Sequence, residues 1–149
     1  RLKASEHRPA IEVVKEYGSL PLVECFPGQL NQVFMNILAN AIDALDEASK
    51  ERSFNEIQLL PNKITIQTTH DSEDERVSIR IKDNGGGMSY EVQQKIFDHL
   101  FTTKSVGQGT GLGLSIARQI VTQKHGGTLE VNSSVGNGAE FVISLPLKH

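Results

Sequence analysis

Between Leu30 and Leu45, eight apolar residues (Leu30, Val33, Phe34, Ile37, Leu38, Ala41, Ile42 and Leu45) recur at helical spacing. Such a period is one face of an α-helix, and that face has to be buried against something else. Pro27 and Gly28 mark its start. A sheet supplies the partner. Residues 63–70 alternate Ile64 and Ile66 against Thr65 and Gln67. Residues 76–83 alternate Val77, Ile79 and Ile81 against Ser78, Arg80 and Lys82. Both read as half-buried strands, joined by a hairpin with turn chemistry at Asp71 and Ser72.

The other segments read less sharply. Residues 11–17 and 22–25 are apolar enough for strands, and residues 50–62 read as a polar, irregular loop. A short helix is expected over 89–97 with Ser89 as its N-cap. Residues 98–110 have no hydrophobic period. Leu112, Ile116, Ile120 and Val121 mark another helix, ending near Gly126. Residues 128–131 and 140–145 close the chain as strands, the last ended by Pro146. Helices and strands are partly segregated, which predicts one sheet with helices layered on one face.

At 149 residues the chain is one domain's worth and can bury a core without staples. Its net charge of -3 argues against nucleic-acid binding driven by bulk electrostatics. Aromatic residues are 5% with no Trp, which argues against a base-stacking platform. A single cysteine, Cys25, excludes an internal disulfide or a Cys-rich zinc site. No apolar run approaches membrane-spanning length, and no signal peptide is visible. The chain opens at Arg1 without Met, so it is expected to come from a longer protein.

Four segments carry candidate chemistry. Asn36 and Asn40 are four apart on the long helix, at the margin of its apolar face. Amide oxygens are hard ligands suited to Mg²⁺ or Ca²⁺. Taken alone, the pair is more simply read as polar residues at a core boundary. Asp83, Asn84, Gly85, Gly86 and Gly87 follow a strand; they fit an ordinary turn as well as a ligand-binding one. Gly107, Gly109, Gly111 and Gly113 lead into a helix, where free backbone N–H groups can meet an anion. Neither a Walker loop nor a dinucleotide fingerprint matches that spacing. Phe97 and Phe101 stand in a polar segment and suggest a loop pinned at two points; Thr102, Thr103 and Lys104 could meet a phosphate.

In their order and spacing, the four segments resemble the ATP-binding catalytic domain of sensor histidine kinases, within the gyrase, Hsp90, histidine kinase and MutL superfamily. Residues 31–41 look like its N box, 83–88 its first glycine box, 96–104 its F box and 107–114 its second glycine box. Residues 136–141 look like the closing glycine turn. The resemblance implies a two-layer α/β (α+β) sandwich of the Bergerat type, a mixed sheet covered on one face by helices, with an ATP lid. It implies a single ATP-binding domain over residues 11–149, with residues 1–10 as remnant linker. It makes ATP and Mg²⁺ the cofactors. Asn40 would coordinate the metal with Asn36 assisting, and Asp83 would take the adenine amino group. Gly85 and Gly87 would shape the pocket floor, with Met88 against the base. Residues 98–110 would form the lid, carrying Phe101, Thr102, Thr103, Lys104 and Gly109. Thr110, Gly111, Leu112 and Gly113 would turn backbone N–H groups to the phosphates, with Leu114 beside them.

Two departures stand out. Asp43 occupies a position where many members carry Lys or Arg, and Ala139 one where Thr is common. Lys104 is expected to replace the missing phosphate charge and is counted with Asn36 and Asn40 as catalytic. None of the five His has the context of a phosphoacceptor. The expected function is therefore γ-phosphoryl transfer to a His on a separate dimerisation domain, with a response regulator downstream. Neither nucleic-acid binding nor membrane insertion is expected of this domain, and its expected location is cytoplasmic. The alternatives are an ATPase switch, a serine kinase of the same superfamily, or an ATP-binding pseudokinase. The ATPases place a Glu where this chain has Asn36, and an amide cannot take up a proton near neutral pH.

Overall fold

The computed structural model describes residues 10–98 and 113–148. Five strands form one sheet: β1 (Ile11–Tyr17), β2 (Asn62–Asp71), β3 (Arg76–Asp83), β4 (Thr128–Ser133) and β5 (Ala139–Pro146). Their spatial order is β1-β2-β3-β5-β4. β1 runs parallel to β2 and every other pairing is antiparallel, so the sheet is mixed. The helices are α1 (Pro27–Ser49), α2 (Phe54–Leu59), α3 (Tyr90–Lys95) and α4 (Gly113–Gln119), the last continuing as a π-helical turn, Ile120–Lys124.

α1 has the predicted apolar face. Leu30, Val33, Ile37, Ala41 and Leu45 are buried, and Phe34, Leu38 and Ile42 flank them half-buried. Pro27 in its first turn lacks an N–H that the helix would not use, and its fixed φ suits the helix. The opposing surface comes from alternation in β3 and β5. Val77, Ile79, Ile81 and Asp83 point inward on β3; Ala139, Phe141, Ile143 and Leu145 do so on β5. The opposite face of the sheet is polar and carries an Arg80–Glu140 ion pair at 3.1 Å. The two-layer arrangement is the one expected. The β2–β3 turn is stabilised by Asp71 Oδ1, which accepts from the backbone N–H of Glu73 at 3.1 Å and Asp74 at 3.3 Å.

Two expectations fail. Residues 22–25 are not a strand: Leu22 is 98% exposed, and the segment touches the C-terminal end through a bond from Glu24 N to Leu147 O. Residues 50–62 are not all loop, because they contain α2. That helix buries none of its residues, so no apolar period announces it. Its signal is a capping box, in which Ser53 and Glu56 each accept from the other's backbone N–H at 3.1 Å. Arg52 closes the segment by donating to Asn62 Oδ1 and to the carbonyls of Glu56 and Leu60.

Candidate functional site

The site lies along one side of α1. Asn36, Asn40 and Ala44 are spaced by four, so they form a row roughly 12 Å long on the helix surface. At one end of the row, Asn36 Nδ2 donates to Gly113 O at 3.0 Å, which ties α1 to the first residue of α4. At the other end, the backbone after β3 comes down onto Ala44. A Cβ on Gly85 would sit 3.3 Å from Ala44 O and 3.0 Å from Asp83 Oδ1, tighter than most side-chain carbons tolerate. Glycine therefore lets the strand end approach the helix. Asn40, half-buried, falls between the two ends.

Asp83 occupies an inward position of β3 where the alternation calls for an apolar side chain, and it is only 2% exposed. Its Oδ1 accepts from the Gly85 N–H at 2.9 Å. Its Oδ2 is buried without a hydrogen-bond partner. Burial raises the carboxyl pKa above its ordinary value; the N–H groups of Gly85 and Ala139 and the charge of Lys82 oppose that rise only in part. An orphaned buried acceptor costs free energy and is uncommon in folded proteins. Its natural complement is a neutral donor such as an amino group, brought by a ligand.

The first glycine box is fixed by the turn between β4 and β5. Gly87 and Gly138 have φ of +75° and +71°. A Cβ on Gly87 would strike the Ser134 carbonyl, and one on Gly138 the carbonyl of Asp83. Gly136 N donates to Gly86 O at 2.7 Å. Ser133 Oγ accepts from Met88 N at 2.9 Å and donates to Gly138 O at 2.6 Å. Gln93 Nε2 donates to the carbonyls of Met88 and Ser133. Ser133 and Gln93 escaped the sequence reading, since neither stands in a motif; the turn residue Gly138 did not. Met88 and Leu114 pack half-buried against the core.

Of the two expected pins, Phe97, just before the aperiodic segment, is held to the body. Its ring meets Phe141 edge-on at 6.2 Å, and the Arg118 guanidinium lies 4.6 Å from its centroid. Of the other predicted site residues, Phe101, Thr102, Thr103, Lys104, Gly109, Thr110, Gly111 and Leu112 lie outside the described residues.

A mixed sheet with helices on one face, a buried carboxylate at a glycine-lined strand end and paired Asn on the adjoining helix define an HATPase-type catalytic domain. The chain belongs to the family described as histidine kinase-, DNA gyrase B- and HSP90-like ATPases, which it matches over residues 26–149. Among curated proteins it is 41% identical over 118 residues to the signal transduction histidine-protein kinase AtoS of Escherichia coli, covering 79% of this chain and 17% of that one. It is 38% identical over 119 residues to the two-component sensor PprA of Pseudomonas aeruginosa, covering 80% of this chain and 12% of that one. The chain thus spans under a fifth of the length of these two relatives. Among solved structures it resembles the nucleotide-free catalytic domain of histidine kinase ThkA, with a TM-score of 0.73, 32% identity and coverage of 93% of this chain and 80% of that one. It also resembles full-length ShkA in complex with AMPPNP, with a TM-score of 0.72, 25% identity and coverage of 91% and 25%. Among the described residues no helix is long and apolar enough to cross a membrane.

Proposed function

We propose that this domain binds Mg·ATP along the α1 row and passes the γ-phosphoryl group to a His on a separate dimerisation domain of a two-component sensor kinase. The observation that carries the reading is Asp83 Oδ2, a buried acceptor without a hydrogen-bond partner, beside a backbone that only glycine lets so close. The adenine amino group satisfies it. Met88 lies against the base, and Gly85 and Gly87 form the floor. The phosphates then extend toward Asn40 and the start of α4, where free backbone N–H groups favour anions.

The residues present fit a magnesium ion held with phosphate. Among the described residues no group of three or more His, Cys, Asp and Glu could hold a metal. Asn40, assisted by Asn36, would hold a divalent cation through hard amide oxygens of the kind such an ion prefers. When bound, the ion neutralises charge developing on the transferred phosphoryl group. The protein's share is orientation: it fixes the base at Asp83 and the phosphates at α1. Lys104 supplies a further positive charge. A response regulator then takes the phosphoryl group, in the cytoplasm.

The Asn36–Gly113 bond favours this reading over a self-sufficient ATPase. A carboxylate at position 36 is an acceptor and could not donate to the Gly113 carbonyl. Asn36 Nδ2 serves as a tie between helices, and an amide at this position cannot act as a base for water. The test supplies γ-labelled ATP, Mg²⁺ and a dimerisation domain with its acceptor His. Acid-labile label on that domain, with little release of free phosphate, is expected. Rapid phosphate release with no labelled acceptor would favour the ATPase. Asn40→Ala should weaken Mg·ATP about tenfold or more and metal-free nucleotide far less; equal losses would remove its role as metal ligand.

A further inference from the structure

The helical unit that begins at Gly113 ends on a buried histidine, and that histidine holds the start of α1. His125 is 1% exposed. Its Nε2 accepts from the backbone N–H of Phe26 at 3.0 Å, and its Nδ1 lies 3.1 Å from the carbonyl oxygen of Ile120. Phe26 is the N-cap residue of α1, and its ring meets the imidazole edge-on with centroids 5.6 Å apart. Only an unprotonated ring nitrogen can accept the Phe26 N–H. The proton therefore sits on Nδ1 and is donated to Ile120, so the ring is neutral in one defined tautomer.

The π-helical turn makes this reach possible. In a π turn residue i+5, not i+4, stands over the carbonyl of residue i, which puts His125 over Ile120. Just beyond it, Gly127 N bonds to Val121 O at 3.0 Å and closes the helix end.

Two directional contacts thus bracket the helix pair, Phe26 with His125 at one end and Asn36 with Gly113 at the other. The helices run antiparallel between them. Apolar packing alone permits small axial slides of one helix past another, whereas hydrogen bonds at both ends do not.

We infer that His125 is a positioning residue. By bridging the Phe26 N–H and the Ile120 carbonyl it sets the axial register of α1 against α4. That register fixes how far the Asn36 and Asn40 amides stand from the backbone at Gly113, where α4 begins. The inference rests on the reading above that phosphates bind between them. His125 itself touches no nucleotide. The base end of the site hangs from β3, outside its reach, so phosphate and base recognition should separate in its variants.

The test uses three variants of the full chain, titrated with Mg·ATP and with adenosine by calorimetry and melted in parallel. His125→Phe keeps a ring and loses both nitrogens. His125→Asn keeps a donor for Ile120 but is too short for Phe26. His125→Gln reaches the place of Nε2 with an oxygen that can accept from Phe26. Losing the bond to Phe26 predicts about three- to tenfold weaker Mg·ATP for the Phe and Asn variants, unchanged adenosine, and recovery to within about twofold for Gln. If Asn and Gln behave alike, or if both ligands weaken in step with melting temperature, the ring is only packing and the inference falls. Should the Phe variant not fold, the Asn and Gln comparison decides. Failure of the nucleotide reading has its own signature: Mg·ATP binding absent in the parent chain, or unaffected by Asn40→Ala, overturns both.

Discussion

Gly85 donates its backbone N–H to Asp83 Oδ1 at 2.9 Å, and this single bond divides the carboxylate into a satisfied and an unsatisfied oxygen. The satisfied oxygen fixes the side chain. The other has no hydrogen-bond partner, at a standing cost to the fold.

That cost has a pH dependence with a definite sign. Burial raises the Asp83 pKa, so the fold favours the protonated carboxyl. The stability this contributes is fully present below the ordinary carboxylate pKa and is lost as pH rises through the raised value. Asp83→Asn, a neutral side chain of the same shape, should therefore melt higher than the parent near neutral pH. The gap should close as the pH is lowered. Adenosine binding should respond oppositely: the variant presents an amide donor to an amino donor and should lose about 1–3 kcal/mol of affinity, about fivefold or more. Thermal melts across pH, with calorimetry at neutral pH, check both halves. A variant that melts lower at neutral pH would contradict the assigned cost.

Gly138 has φ of +71° and faces the Asp83 carbonyl. Gly138→Ala combines backbone strain with a collision against β3, so it should cost about 1–3 kcal/mol or more of stability. Because the displaced atom belongs to Asp83, adenosine affinity should fall as well. Gly86→Ala is the control: a Cβ there meets nothing within 4 Å, so little change is expected. Equal effects of the two substitutions in urea melts would dismiss the close-approach argument.

Lys104 is predicted to supply the phosphate charge that the acidic Asp43 does not. A partly desolvated charge contact is worth roughly 1.5–3 kcal/mol. Lys104→Ala should therefore weaken ATP more than about tenfold and leave adenosine unchanged. Equal losses for both ligands, or none, would assign the charge elsewhere.

The sheet and α1 were legible because each carries a clean period. Val77, Ile79 and Ile81 alternate, and Leu30 through Leu45 recur at helical spacing, so burial of one face follows directly. α2 was not legible, since a helix with no buried residue leaves no period and only its Ser53–Glu56 capping box betrays it. At the candidate site, Asp83 was visible as an acidic residue before three glycines. That its Oδ2 would be buried without a partner was not, because burial is set by the packing of β3 against α1 and β5, which no local pattern shows. Ser133 and His125 each carry one long-range bond, to Met88 and to Phe26, that no local spacing encodes.

The Asn36 tie yields the last prediction. Its Nδ2 donates to the Gly113 carbonyl at 3.0 Å, part-buried between α1 and α4. Asn36→Asp has nearly the same shape but replaces the donor with an acceptor, setting a carboxylate oxygen against a carbonyl oxygen. Losing the bond and adding repulsion should cost about 1–3 kcal/mol, visible as a lower melting temperature above the carboxylate pKa. Protonation restores a donor, so the deficit relative to the parent should shrink as pH falls through the pKa of the introduced carboxyl. Mg·ATP affinity should follow the same pH course, while adenosine, held at the far end of the row, should not. Asn36→Ala removes the donor without adding charge and should show a smaller, pH-independent loss. If the Asp and Ala variants lose stability equally at every pH, the amide does not hold α4 through its N–H, and the structural argument against a carboxylate base at position 36 goes with it.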